Sequence, residues 1–152
     1  QHPWLWQPSL IVFFSSACIM ILELVAGRLI AAQVGVSLYT WTSIIGIILA
    51  GISLGNYIGG RLADRWASLK MLGLIFLNGG AFTLFILAIK KFDLIDKIEL
   101  SYIGETMFII TVMFFIPATL LGTISPVAVK LSVSDLNHTG STVGHIYAAG
   151  AI

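Results

Sequence analysis

A single carboxylate, Glu23, sits inside an otherwise apolar run from Ser9 to Ala32. No other feature restricts the fold of this chain as strongly. The run is about 24 residues long, enough to cross the hydrocarbon core of a bilayer as a helix. An ionised acid near the middle of such a span costs ~3 kcal/mol on insertion scales and more in other treatments. Such a group is expected to face a protein interior, a partner or a water-filled path.

Hydrophobic residues make up 58% of the 152 and charged residues only 10%, with a mean hydropathy of +1.00. A soluble domain carries about 25% charged residues. The pattern predicts an all-α integral membrane protein in a single domain, 1–152. It contains four complete transmembrane helices, at about 9–32, 40–60, 71–89 and 103–129, and the start of a fifth at 141–152. The fifth is too short to cross, so the chain reads as a fragment of a longer protein. Short polar connections favour antiparallel neighbours. The first run is too long and too lightly flanked for a cleaved signal peptide.

The charge pattern is less informative. Arg61, Arg65, Lys70 and Lys130 fall on the side of the N-terminus, against Lys90, Lys91, Lys97 and Arg28 on the other, a near tie for the positive-inside rule. Trp4, Trp6, Tyr39, Trp41, Trp66 and Tyr102 fall near helix ends, where amphipathic rings prefer to sit. No dense basic patch points to nucleic acid. The lone Cys18 is expected to be a small packing residue.

Within the second span Gly51, Gly55 and Gly59 recur every four residues. Small residues at that spacing let a neighbouring backbone approach closely. Asn56, beside them, is expected to hydrogen-bond to another helix or to line a polar cavity. Asn78, Gly79 and Gly80 interrupt the third span and predict a close contact or a flexible point. Pro117 and Pro126, with Gly122 and Ser125 nearby, predict a kinked or broken fourth helix. Glu105 suits a helix N-terminus. For Glu23 two readings stay open, a structural buried acid and a proton- or cation-binding group. Arg28 lies five residues on, outside ideal pairing distance along the helix. His2, His138 and His145 fit no metal-ligand spacing, and no catalytic motif of a soluble enzyme occurs.

Two stretches carry a resemblance. Gly60-Arg61-Leu62-Ala63-Asp64-Arg65 resembles the loop signature after the second helix of the major facilitator superfamily. In that family the loop is cytoplasmic and its acid and bases latch neighbouring helices. The likeness implies that role for Asp64 and Arg65, but not beyond, because Trp66, Ala67, Ser68 and Leu69 replace the basic run and only Lys70 follows. The second stretch runs from Glu23-Leu24-Val25-Ala26-Gly27-Arg28-Leu29-Ile30 through Gly35-Val36-Ser37-Leu38-Tyr39-Thr40-Trp41 to Leu49–Gly60. With Gly122-Thr123-Ile124-Ser125-Pro126 and Gly144-His145-Ile146-Tyr147-Ala148, it is similar to the membrane domain of fused membrane-bound spermidine synthases.

That resemblance implies a facilitator-like bundle that anchors a soluble aminopropyltransferase and handles polyamines or other cations. The chemistry would use decarboxylated S-adenosylmethionine in a domain missing here, so this chain holds no cofactor and no catalytic residue of its own. Glu23 and Asn56 become the cation-binding candidates. The implied partners are lipid, further helices, the soluble domain and, as an open alternative, a second copy. The implied setting is a bacterial inner membrane with a cytoplasmic N-terminus. Half of a secondary transporter and a passive anchor remain as alternatives.

Overall fold

The computed structural model describes residues 6–91, 108, 111–133 and 139–151. Glu105, Lys97, Tyr102, His2, Trp4 and His138 lie outside them, as does the start of the fourth predicted span. All regular structure among the described residues is helical. The elements are α1 (Trp6–Val34), α2 (Leu38–Trp66), α3 (Leu69–Lys91), a π-helical turn (Thr111–Phe115), α4 (Ile116–Gly122), α5 (Ile124–Ser132) and α6 (Thr139–Ala151).

Three helical stretches are long and apolar enough to cross a membrane: Trp6–Ala31, Leu38–Trp66 and Met113–Ser132, of 26, 29 and 20 residues. The apolar stretch of α3, Leu69–Phe85, is shorter. Large apolar side chains such as Phe14, Met20, Ile21, Leu49, Leu74 and Leu77 are exposed on the bundle surface. In water a surface of this kind would drive association; against acyl chains it is the ordinary condition. Together these features mark the chain as a membrane protein.

Local chemistry sets the helix boundaries. Gly35 adopts φ +83° and its N–H bonds the Ala31 carbonyl at 3.1 Å, ending α1 with a left-handed residue that glycine alone takes without strain. Two residues later Ser37 caps α2, its hydroxyl accepting from the Thr40 N–H at 3.1 Å. Ser68 caps α3 in the same way through the Met71 N–H. Pro117 has no N–H for the carbonyl four residues back, and the chain widens into the π turn just before it. Pro126 lies in the first turn of α5, and the helix breaks at Thr123, three residues ahead of it. The predicted interruption of the fourth span is thus a single-residue break at Thr123, whose backbone stays in the helical region at φ −69° and ψ −17°. By contrast α3 runs unbroken through Asn78, Gly79 and Gly80. There the Asn78 amide donates to the Leu74 carbonyl of its own helix, and Gly79 faces the Leu121 side chain.

The packing register follows from glycine contacts. Only residues 35–37 separate α1 from α2, and a Cβ on Gly27 would lie 3.2 Å from the Trp41 ring, so α2 folds back along α1 and the two run antiparallel. Gly51, Gly55 and Gly59 step down Phe115–Ala118, Thr119–Gly122 and Thr123–Pro126, so α2 runs parallel to α4 and α5. One buried cluster joins α1, α2, the π turn and α4 through Leu22, Ala26, Ile44, Ile48, Phe114 and Ala118. A second joins α3 to α4 and α5 through Leu72, Ile75, Leu121, Ile124 and Val127. α6 seats on α1, with Gly150 against Val12 and Ser16 and with Ile146 buried beside Val12 and Ala128.

The α2–α4 crossing is the tightest in the bundle. A Cβ on Gly55 would collide with the Thr119 carbonyl and lie 2.9 Å from the Gly122 Cα, while one on Gly122 would lie 2.8 Å from the Ile52 carbonyl. Gly46, on the same helix, has open space at that position. Gly55→Ala is therefore expected to destabilise the bundle by about 2 kcal/mol through overpacking. Gly46→Ala should be neutral or stabilising by about 0.5 kcal/mol, from helix propensity alone. Thermal unfolding of the two variants in the same detergent distinguishes them; equal behaviour would remove the crossing as the basis of the fold.

Candidate functional site

The candidate residues fall at two levels of the bundle. At the end where α2 and α5 terminate, the Asp64 carboxylate receives the Lys130 ammonium at 3.0 Å. The parallel run of α2 and α5 makes this contact, bringing residues 66 positions apart to the same level. The pair remains wet, with Lys130 54% and Asp64 74% exposed. Arg65, the other residue of the facilitator-like signature, does not join it. Its guanidinium lies over its neighbour Trp66, 5.8 Å from the ring centroid, and Arg61 lies over Tyr57 at 4.5 Å.

Glu23 stands near the middle of α1. Its neighbours Leu22, Ala26 and Gly27 are buried and Met20, Ile21, Leu24 and Val25 are exposed, so its half-buried side chain occupies the boundary between the two faces. Among the described residues it has no hydrogen bond and no ion pair. Arg28 is exposed toward the end of the helix and makes no ion pair with it.

Asn56 is exposed and, among the described residues, makes none of the expected bonds to another helix. The reason is angular. Gly55 occupies the buried stripe, and one residue further turns the side chain by about 100° away from it. Nor do Glu23 and Asn56 meet. The Gly27–Trp41 contact places Glu23 opposite Ile45 in an antiparallel pair. Asn56 lies 11 residues further along α2, about 16 Å by helical rise.

Gly51, Gly55 and Gly59 are buried at the α2 crossing. Their counterpart is a second stripe, Ala118, Gly122 and Pro126, also spaced by four residues. That spacing is present in the sequence, but only the fold shows that the two stripes meet. Beside the crossing, the buried Ser15 hydroxyl on α1 donates to the Leu121 carbonyl at 3.1 Å, just ahead of the break. Cys18, expected to pack, is exposed; the buried small residue of that stretch is Ser15. His145 pairs through Nδ1 with the Ser141 carbonyl of its own helix.

No known protein family, characterised protein or solved structure matches this chain.

The Asp64–Lys130 pair is exposed, so its coupling should be small. A double-mutant cycle of Asp64→Asn and Lys130→Met is expected to give at most about 1 kcal/mol. The coupling should shrink at high salt. Chemical unfolding at low and high ionic strength checks this, and a coupling well above that value would mean that the pair is desolvated when lipid is present.

Proposed function

We propose that this chain is a facilitator-like bundle of four membrane-crossing helices and part of a fifth. In this reading it is the membrane domain of a protein similar to the fused spermidine synthases. It anchors the soluble aminopropyltransferase and offers an acid, Glu23, to a polyamine or another cation. The observation that carries the cation part is the position of Glu23, near the middle of a 26-residue apolar span and without a counter-charge among the described residues. Ionisable groups within a membrane span commonly mark ion or substrate paths, which supports reading Glu23 as a binding group rather than a brace. The Asp64–Lys130 pair supports the facilitator-like part, because it joins the ends of two helices at the signature, although Gly60–Arg65 forms the last turns of α2 rather than the expected loop.

Spermidine binding to the reconstituted chain tests the proposal. With Glu23 as the contact, Glu23→Gln should weaken binding about 10-fold or more, the loss of one charge-assisted hydrogen bond of about 1.5–3 kcal/mol. Asn56→Ala, 16 Å away by helical rise (about 11 residues), should leave it unchanged. Equal affinity of wild type and Glu23→Gln, or no spermidine binding at all, would favour the passive anchor.

A further inference from the structure

The glycine stripe fixes which side of α2 faces out of the bundle. Gly51, Gly55 and Gly59 are buried against α4 and α5. Tyr57 lies half a turn from Gly55 and Gly59, and Arg61 and Arg65 follow it at intervals of four. All three are exposed, and Leu54 and Ile58 beside them are exposed and apolar. The outward face of α2 therefore passes from a mixed stretch with exposed Leu54, Ile58, Ser53 and Asn56, through an aromatic ring, to two guanidinium groups near the end of the helix. Each guanidinium lies over a ring, Arg61 at 4.5 Å from the Tyr57 centroid and Arg65 at 5.8 Å from that of Trp66. Rings of this type collect at the boundary between hydrocarbon and headgroups. That is also the depth of the lipid phosphates.

The charge balance at this end favours an anion. Arg61, Arg65, Lys70 and Lys130 bring four positive charges, and Asp64 and Asp135 two negative, Asp135 lying between α5 and α6 in the sequence, for a net +2. Asp64 is held by Lys130. Among the described residues Arg61, Arg65 and Lys70 make no ion pair. A guanidinium presents a planar fork that fits two oxygens of a phosphate, and stacking on a ring restricts its freedom before the anion arrives.

We propose that Arg61 and Arg65, braced by Tyr57 and Trp66, form a docking site for the phosphodiester headgroup of an anionic phospholipid in the adjoining leaflet. Lys70 adds long-range attraction. The ligand is a lipid rather than a free phosphate, because Leu49, Leu54 and Ile58, exposed on the same side of α2 beside Ser53 and Asn56, give acyl chains an apolar surface next to the guanidinium groups.

The test compares dissociation constants of phosphatidylglycerol and phosphatidylcholine for the 152-residue chain in neutral-detergent micelles. Each arginine near an anionic headgroup contributes about fivefold, so phosphatidylglycerol should bind about 30-fold more tightly. Arg61→Gln combined with Arg65→Gln should remove that preference, while Arg28→Gln, at the other end of the bundle, should keep it. A measurement on the wild type alone guards against a variant that fails to fold: raising NaCl from about 0.05 M to about 0.5 M should reduce the preference, since the ions screen exposed charges. Equal affinity for the two lipids, a preference that survives the double substitution or the added salt, or an equal loss with Arg28→Gln would overturn the proposal. Full competition by millimolar inorganic phosphate would also overturn it, by assigning the site to the free anion.

Discussion

The backbone contact between α2 and α4 at Gly55 and Gly122 governs the arrangement of the remaining helices. In a bilayer, apolar side chains gain little by leaving lipid for one another, so helices associate through dispersion at close range and through hydrogen bonds. Closeness requires missing side chains. Here glycine faces glycine, with the Ile52 carbonyl and the Thr119 carbonyl filling the space that two Cβ atoms would take. Once this crossing is fixed, α2 and α5 end at the same level. That places Lys130 beside Asp64 and puts Leu121 where Ser15 of α1 and Gly79 of α3 both reach it.

The two prolines belong to the same device. A proline within a span leaves a carbonyl without its usual donor, which in lipid must be compensated locally. The π turn ahead of Pro117 and the break at Thr123 are where the chain absorbs these defects. Both lie on the segment that packs against α2. Pro126 also uses its ring, since the Gly59 position accepts Pro126 Cγ only because no Cβ stands there. The defects are thus packed against the surface smooth enough to accommodate them. The threonine hydroxyls bond within the segment itself, Thr119 donating to the Phe115 carbonyl and Thr123 to the Leu120 carbonyl, each at 2.7 Å.

The sequence made the helical class and three membrane-length stretches legible because run length and polarity are local properties. The buried stripe of α2 was readable because three glycines at one spacing have few other uses. Which surface they would meet was not readable. Ala118, Gly122 and Pro126 repeat the spacing, but only the fold brings the two stripes together. Asn56 illustrates the limit of reading by composition, for polarity says that an amide wants a partner and only the angle from Gly55 says that it points elsewhere. Cys18 and Ser15 make the same point on α1, where the residue expected to pack is exposed and a serine three positions earlier is buried with a hydrogen bond.

Charge in this bundle divides by depth, and the division bears on Glu23. The groups that couple to the fold do so at its edge, where water tolerates them: Asp64 with Lys130, Arg61 over Tyr57, Arg65 over Trp66. Glu23 lies away from this edge, on an element held in place by Leu22, Ala26 and Ile30 without its help. An acid that braced the helices would have to touch a donor on one of them, and among the described residues it touches none. Among the described residues, then, the helices are held together without a polar contact from Glu23.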